Sequence, residues 1–276
     1  MHGDHGGSTI ASWLPNPAAE KSAAGNPATA PGNLYWGKIV PVAPLSIGGV
    51  VWWQGESDGR NAKYADDLKR MATSWRKLFE QPKLPVIMIH IAPNTYAGGP
   101  LLVWEAETWA TKNIDGFYLS PNQDAWVGHS KGVDKARGWP TSGGNPHPPA
   151  KDRAAYRAAD IALHLMGNKI GHEVFGPAYA SHEVAGGKIT VKFDHAGEGL
   201  KSRDSQPLTW FEIAASDLKY VKATATISGQ DTVEVSAAAV TVPQHVRYGW
   251  SPVTMTNLVN SAGLPAITFR SNLPKR

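Results

Sequence analysis

The sequence predicts an α/β fold in which a parallel sheet with crossover helices is joined to a β-rich C-terminal region. Three observations lead there. The runs IGGVVWW (47–53) and LPVIMIHIA (84–92) are near-continuous, apolar and β-branched, as strands buried on both faces are. The segment between them repeats apolar residues at helical spacing. From about Gly186 the pattern becomes an alternation of apolar and polar residues, which marks antiparallel strands with one solvated face. The expected division is an α/β domain over 1–170 and a β-rich region over 171–276.

In chain order, residues 15–33 are rich in Pro, Ala, Gly and Asn without apolar period and read as a long exposed loop. IGGVVWW is a buried strand that runs into the polar turn QGESDG. Tyr64, Leu68, Met71, Trp75, Leu78 and Phe79 recur on one face of AKYADDLKRMATSWRKLFE, an amphipathic helix stopped near Pro82. LPVIMIHIA is the next strand, and strand, helix, strand implies a right-handed βαβ unit. ETWATKN reads as helical and GFYLS as a strand. The stretch from Pro121 to Pro149 is irregular, and so long a segment in a compact domain is functional or mobile. A helix then runs through AKDRAAYRAADIALHLMG to Gly167. KITVKF, LTWFEIA, KATATIS, DTVEVSA and VRYGW follow as strands separated by Gly, Asp and Pro.

Composition narrows the function classes. With 276 residues, 42% hydrophobic and 18% charged, the chain is neither disordered nor a membrane protein in character, and no run approaches the roughly 20 apolar residues of a spanning helix. The 27 Lys and Arg against 23 Asp and Glu give +4, but the cations are scattered, so neither a nucleic-acid nor a membrane partner is expected. The absence of cysteine removes disulfides, thiolate catalysis and Cys-based zinc sites. The first residues, MHGDHGGSTIASWLP, lack the charged and apolar regions of a signal peptide. Eleven tryptophans suit either a sugar-lining role or core filling, the latter for most of them.

Several motifs in order then carry a resemblance. GVVWWQGESD, the tyrosine-bearing helix ending SWRKLF and the strand ending IAP resemble the sialate O-acetylesterase and acetyl-xylan-esterase-like branch of the SGNH (GDSL-type) hydrolases. HGDHGGSTIASW is similar to that family's Gly-Gly-Ser block. PHPPAKDRAAYRAADIAL is similar to its last block, where His-Pro opens a helix. LTWFEIA, VRYGW and GLPAITFRSN resemble the tail of the sialate esterases. The resemblance implies a three-layer α/β/α fold and a Ser-His-Asp ester hydrolase that needs no metal or organic cofactor. Its substrate would be a small-molecule or carbohydrate ester, cleaved outside the cytoplasm, in a secreted or periplasmic setting. By carry-over, Gly7 supplies an oxyanion N–H and His147 is the general base. Gln54, with Gly55 and Glu56 beside it, belongs to the oxyanion and substrate-binding block.

The chain departs from the family in two places. The family's nucleophile sits in a Gly-Gln-Ser-Asn-like block ahead of the Gly-Gly-Ser block, and no such block occurs here. The expectation is a sheet incomplete at its N-terminal edge, exposing unpaired backbone and favouring self-association. The family also carries an Asp just before its catalytic His, where this chain has Asn145. An amide can accept from an imidazole N–H but offers no negative charge to an imidazolium, so Asp124 or Asp134 would have to substitute.

Ser57 lies in a literal G-x-S-x-G, after a strand and before a helix, and Ser57, Asp124 and His147 follow the α/β-hydrolase order. The family reading opposes it, making Ser57 part of the oxyanion block, where it caps the next helix or braces the turn. Ser8 is the second serine to consider. Glu56 reads equally as a raised-pKa acid or as a turn carboxylate bonded to backbone N–H groups. His2, Asp4 and His5 look metal-like but lie at a terminus without further ligands. His90, alternating with Ile87, Ile89 and Ile91, reads as a core histidine. Two functions follow: a serine-type carbohydrate O-acetylesterase-like hydrolase, or a catalytically impaired relative that binds carbohydrate or completes its site with another chain.

Overall fold

The computed structural model describes residues 3–20 and 28–273, which cluster into two compact units. The first comprises 1–91 with 95–119, and the second 92–94 with 120–276.

In the first unit, strand β1 (Val50–Trp52) pairs in parallel with β2 (Val86–Ile89), Val50 opposite Val86 and Trp52 opposite Met88. Strand β3 (Phe117–Ser120) completes a three-stranded parallel sheet of order β1-β2-β3. All four residues of β2 are buried, as its unbroken apolar run requires. A single helical turn, α1 (Pro17–Glu20), stands in the stretch expected to be loop. Helix α2 (Tyr64–Leu78) buries Tyr64, Leu68, Met71 and Trp75, the stripe its spacing predicts, and Glu80 in the left-handed region (φ 53°) ends it ahead of Pro82.

Helix α3 (Leu101–Asn113) starts six residues before the ETWATKN segment. Val103, Trp104, Glu105, Ala106, Glu107 and Ala110 are all buried, so the helix is enclosed on several sides and has little amphipathic period to read. Trp52 is the centre of an aromatic stack. Its ring meets Trp13 at 5.8 Å and Trp75 at 5.9 Å, both edge to face, and Trp75 Nε1 donates to the Trp13 carbonyl at 3.1 Å. These tryptophans fill core.

In the second unit, residues 121–149 hold only the two-residue strands β4 (Gly132–Val133) and β5 (Pro140–Thr141), which pair with each other. Helix α4 (Lys151–Leu165) follows, and Gly167 leaves it with φ 85°. Residues 120–170 thus cluster with the β-rich region, a grouping that the change of pattern near 170 does not signal.

The remaining strands are β6 (Ala178–Ala185), β7 (Lys188–Asp194), β8 (Lys201–Ser202), β9 (Phe211–Ala214), β10 (Val221–Lys222), β11 (Thr224–Ile227), β12 (Thr232–Ser236), β13 (His245–Tyr248), β14 (Leu258–Val259) and β15 (Phe269–Arg270). They form antiparallel sheets of order β11-β12-β7-β6 and β10-β9-β13-β15, and a β14-β8 pair. The inward residues of β7 (Ile189, Val191, Phe193) and β12 (Val233, Val235) pack with Phe211, Ile213, Val246, Tyr248 and Phe269 into one core. Alternation in these strands is the direct consequence of burying one face.

Candidate functional site

The turn after β1 is built around Gly55. Its backbone (φ 148°) favours glycine, and a Cβ there would lie 2.6 Å from Val103 Cγ1. Glu56–Asp58 then form a short 3₁₀ helix. Ser57 sits half-buried in that helix without the positive φ of a strained elbow, and it does not cap α2. The N-cap position of α2 is Lys63, which has no side-chain cap; Asn61 Oδ1 accepts the Lys63 N–H at 3.0 Å in the turn just ahead of the helix. Within its unit Ser57 makes no side-chain hydrogen bond among the described residues.

Gln54 is buried, and its amide group has a forced orientation. Nε2 donates to the Ser8 carbonyl and to Asp58 Oδ2, each at 2.7 Å, and Oε1 accepts from the Tyr64 hydroxyl at 2.8 Å. An amide has two N–H donors, so both are committed. The side chain therefore serves as a tie rather than as the oxyanion donor that the resemblance implies. Asp58 Oδ2 also accepts the Ile10 N–H at 2.8 Å, and Oδ1 accepts from Asn61 at 3.1 Å. Burial raises the Asp58 carboxyl above the ordinary range, and the bonds from Gln54, Ile10 and Asn61 offset this only in part.

The network fixes the Gly7–Ser8 segment against the turn. Ser8 is buried and its Oγ accepts from Trp13 Nε1 at 2.9 Å. Gly7 is exposed, in a left-handed conformation (φ 70°), with its N–H bonded to nothing among the described residues of its unit. Tyr64 is missed as a polar residue by the periodicity, which counts it as core. Its hydroxyl also accepts from Trp52 Nε1 at 3.2 Å, and burial, followed by the charge of Glu107, pushes its pKa well up.

His90 is a core histidine, its Nδ1 2.8 Å from Glu107 Oε2 with both side chains fully buried, and it stacks on Trp104 at 5.2 Å. Burial lowers His90 to about 3. Burial, with a contribution from the half-buried Glu56, raises Glu107 well above the carboxylate range. Burial thus disfavours the charged form of both groups.

In the second unit, His147 is exposed ahead of α4, and its backbone N–H is held by Asn145 Oδ1 at 2.8 Å. Asn145 therefore braces the chain at His147 instead of meeting its ring. Asp124 is buried and engaged elsewhere. Arg157 grips it through Nη1–Oδ1 (2.7 Å) and Nη2–Oδ2 (2.8 Å), Arg203 Nη1 stands 3.2 Å away, and Arg153 Nη1 3.8 Å away. Burial alone would raise this carboxyl, but the Arg157 bonds and the charges of Arg157, Arg203 and Arg153 bring it below the usual range. Asp134 accepts from the backbone N–H and Nη1 of Arg137. His2 lies outside the described residues, and among those described no group of three or more His, Asp or Glu is placed to hold a metal.

Residues 3–115 match the family described as carbohydrate esterase, sialic acid-specific acetylesterase. A solved carbohydrate acetylesterase from Xanthomonas citri is similar, with a TM-score of 0.82 and 28% identity over 98% of this chain. The chain spans 60% of that protein's length. No curated protein matches the sequence. The matched segment holds Gly7, Gln54 and the GESD turn, and the fold agrees over nearly the whole chain. In sequence over residues 3–115, and in fold over nearly its whole length, the chain is similar to carbohydrate esterases of the sialic acid-specific acetylesterase type.

Proposed function

We propose that this chain is a serine-type carbohydrate O-acetylesterase-like hydrolase that releases ester-linked acyl groups from sugars. The observation that carries the reading is the buried Gln54–Asp58 tie, which holds the exposed Gly7 N–H in register with the GESD turn. A fixed backbone donor of this kind stabilises the oxyanion that forms when a serine oxygen attacks an ester carbonyl. In the reaction the serine Oγ bonds to the carbonyl carbon while His147 takes the hydroxyl proton. His147 then returns that proton to the departing sugar oxygen, and water hydrolyses the acyl-enzyme with His147 again as base. Ser57, half-buried and unbonded within its unit, is the first serine assigned to the attack; Ser8, already accepting from Trp13, is the second. Asp124 supports α4 through its arginines.

A second reading, a relative impaired in catalysis that retains sugar binding, draws support from two observations. Ser57 has no elbow geometry, and Asp124 meets guanidinium groups in its unit. Hydrolysis of a p-nitrophenyl acetate panel by the parent chain and by Ser57→Ala and His147→Ala separates the two. Activity lost in both variants establishes the esterase reading; a parent chain without activity establishes the second.

A further inference from the structure

The second unit contains a half-open cleft of about 610 Å³ at the end of α4, lined by His164, His172, Glu173, Phe175, His195 and Glu198. None of these residues belongs to the ester-hydrolysis machinery assigned above. The cleft is built with some care. Asn260, fully buried, donates to the Phe175 carbonyl at 3.0 Å and to the His195 carbonyl at 2.9 Å, so one amide clamps both walls. Glu173 Oε1 accepts the backbone N–H groups of Val174 and Phe175 at 2.9 and 3.0 Å, leaving Oε2 3.4 Å from His195 Nδ1. The Glu198 N–H donates to Ser261 Oγ at 3.0 Å, and Gly197 packs so closely that a Cβ would fall 2.5 Å from that oxygen.

His195 itself holds a left-handed backbone, φ 61°. A side chain there costs strain that a glycine would avoid. The imidazole is aimed at Phe175, 5.0 Å between ring centres, and His164 meets the same ring edge-on at 5.9 Å.

The Phe175 ring, flanked by carboxylates and imidazoles, matches one ligand chemistry well. Sugar C–H faces stack on rings, and paired hydroxyls donate to carboxylates and exchange hydrogen bonds with imidazole nitrogens. The charges narrow the class. Glu173 and Glu198 line the cleft, Asp160 stands 3.4 Å from His172 Nε2, and the nearby cation Lys201 is bonded to the Ser261 carbonyl at 2.9 Å. The carboxylates of Glu173, Glu198 and Asp160 give this surface acidic character, which disfavours an acidic sugar. We infer that this cleft is a binding subsite for a neutral glycan, separate from the residues assigned to ester cleavage. The inference deepens the carbohydrate reading, but it stands on unit two alone and concerns binding without turnover.

The test uses the full chain and unacetylated xylotriose at neutral pH, read by the histidine Cε1–H signals in ¹H–¹³C spectra. Saturable shifts confined to His164, His172 and His195 are expected, with 3′-sialyllactose binding at least tenfold more weakly. His195→Gly should lose at least tenfold in affinity while its Tm stays level or rises, because glycine relieves the left-handed strain. A fall in Tm with unchanged affinity would make His195 a structural residue and overturn the inference. So would xylotriose shifts outside these three rings, or no shifts at millimolar sugar. Hydrolysis of p-nitrophenyl acetate is measured on the same samples. Binding without hydrolysis retains the subsite and removes the esterase reading; hydrolysis without binding does the reverse.

Discussion

Each unit buries an aspartate, and the two are stabilised by opposite means. Asp58 in the first unit is surrounded by dipoles: an amide from Gln54, an amide from Asn61 and a backbone N–H from Ile10. Asp124 in the second is surrounded by the cations Arg157, Arg203 and Arg153. Dipoles satisfy hydrogen bonds but do not cancel a charge, so burial prevails and the Asp58 carboxyl is raised. Guanidinium groups do both, and the Asp124 carboxyl is lowered although it is the more deeply enclosed of the two. The first arrangement ties neutral backbone segments together beside the candidate turn. The second fastens α4 to the irregular stretch that precedes it.

The largest effect should come from breaking the charged arrangement. Asp124→Ala leaves three guanidinium groups around an empty site and should cost about 3–5 kcal/mol in urea unfolding, as removal of one partner of a buried pair does. A loss below about 1 kcal/mol would mean that water already shields the arginines.

Breaking the neutral arrangement should cost less. Gln54→Leu leaves the Ser8 carbonyl and Tyr64 hydroxyl each short of a partner and Asp58 short of one donor, an expected loss of about 1–3 kcal/mol. In the same variant, ester hydrolysis should fall further than stability explains, because Gly7 is no longer held. Tyr64→Phe, which removes one donor to Gln54 Oε1, should cost about 1 kcal/mol.

Acid titration sharpens the comparison through its sign. The folded Asp124 value lies below the unfolded value of about 3.9, so its contribution is present above that pH and lost as pH falls through the folded value. The folded Asp58 value lies above the unfolded one. Its contribution is therefore complete at low pH and declines as pH rises through the folded value. Measured from about pH 5 to 2, Asp124→Asn should flatten the acid loss of stability and Asp58→Asn should steepen it. Parallel curves for the two variants would show that both carboxylates sit in the same environment.

The smallest effect on stability belongs to His147→Ala. The side chain is exposed, so the change should remain within about 0.5 kcal/mol, while ester hydrolysis falls by about 10²–10⁴-fold. A matching loss of stability would assign His147 to structure.

The sequence by itself determined the secondary structure where one face is buried. Tyr64, Leu68, Met71 and Trp75 declared α2, and Ile189, Val191 and Phe193 declared β7, because periodicity is the imprint of a single interface. It was weaker for α3, enclosed on several sides, and silent on the grouping of 120–170 with the β-rich strands. The motifs located Gly7, Gln54, Ser57 and His147 but not their engagements. Gln54 reads as a donor awaiting an oxyanion until its two N–H groups are found on Ser8 and Asp58, 46 and 4 residues away. Asp124 reads as an acid for a histidine until Arg157 and Arg203 are found on it. Only the tertiary structure decides these roles, because the number of hydrogen bonds a side chain can make is set by its chemistry, and the partners that fill them come from distant parts of the chain.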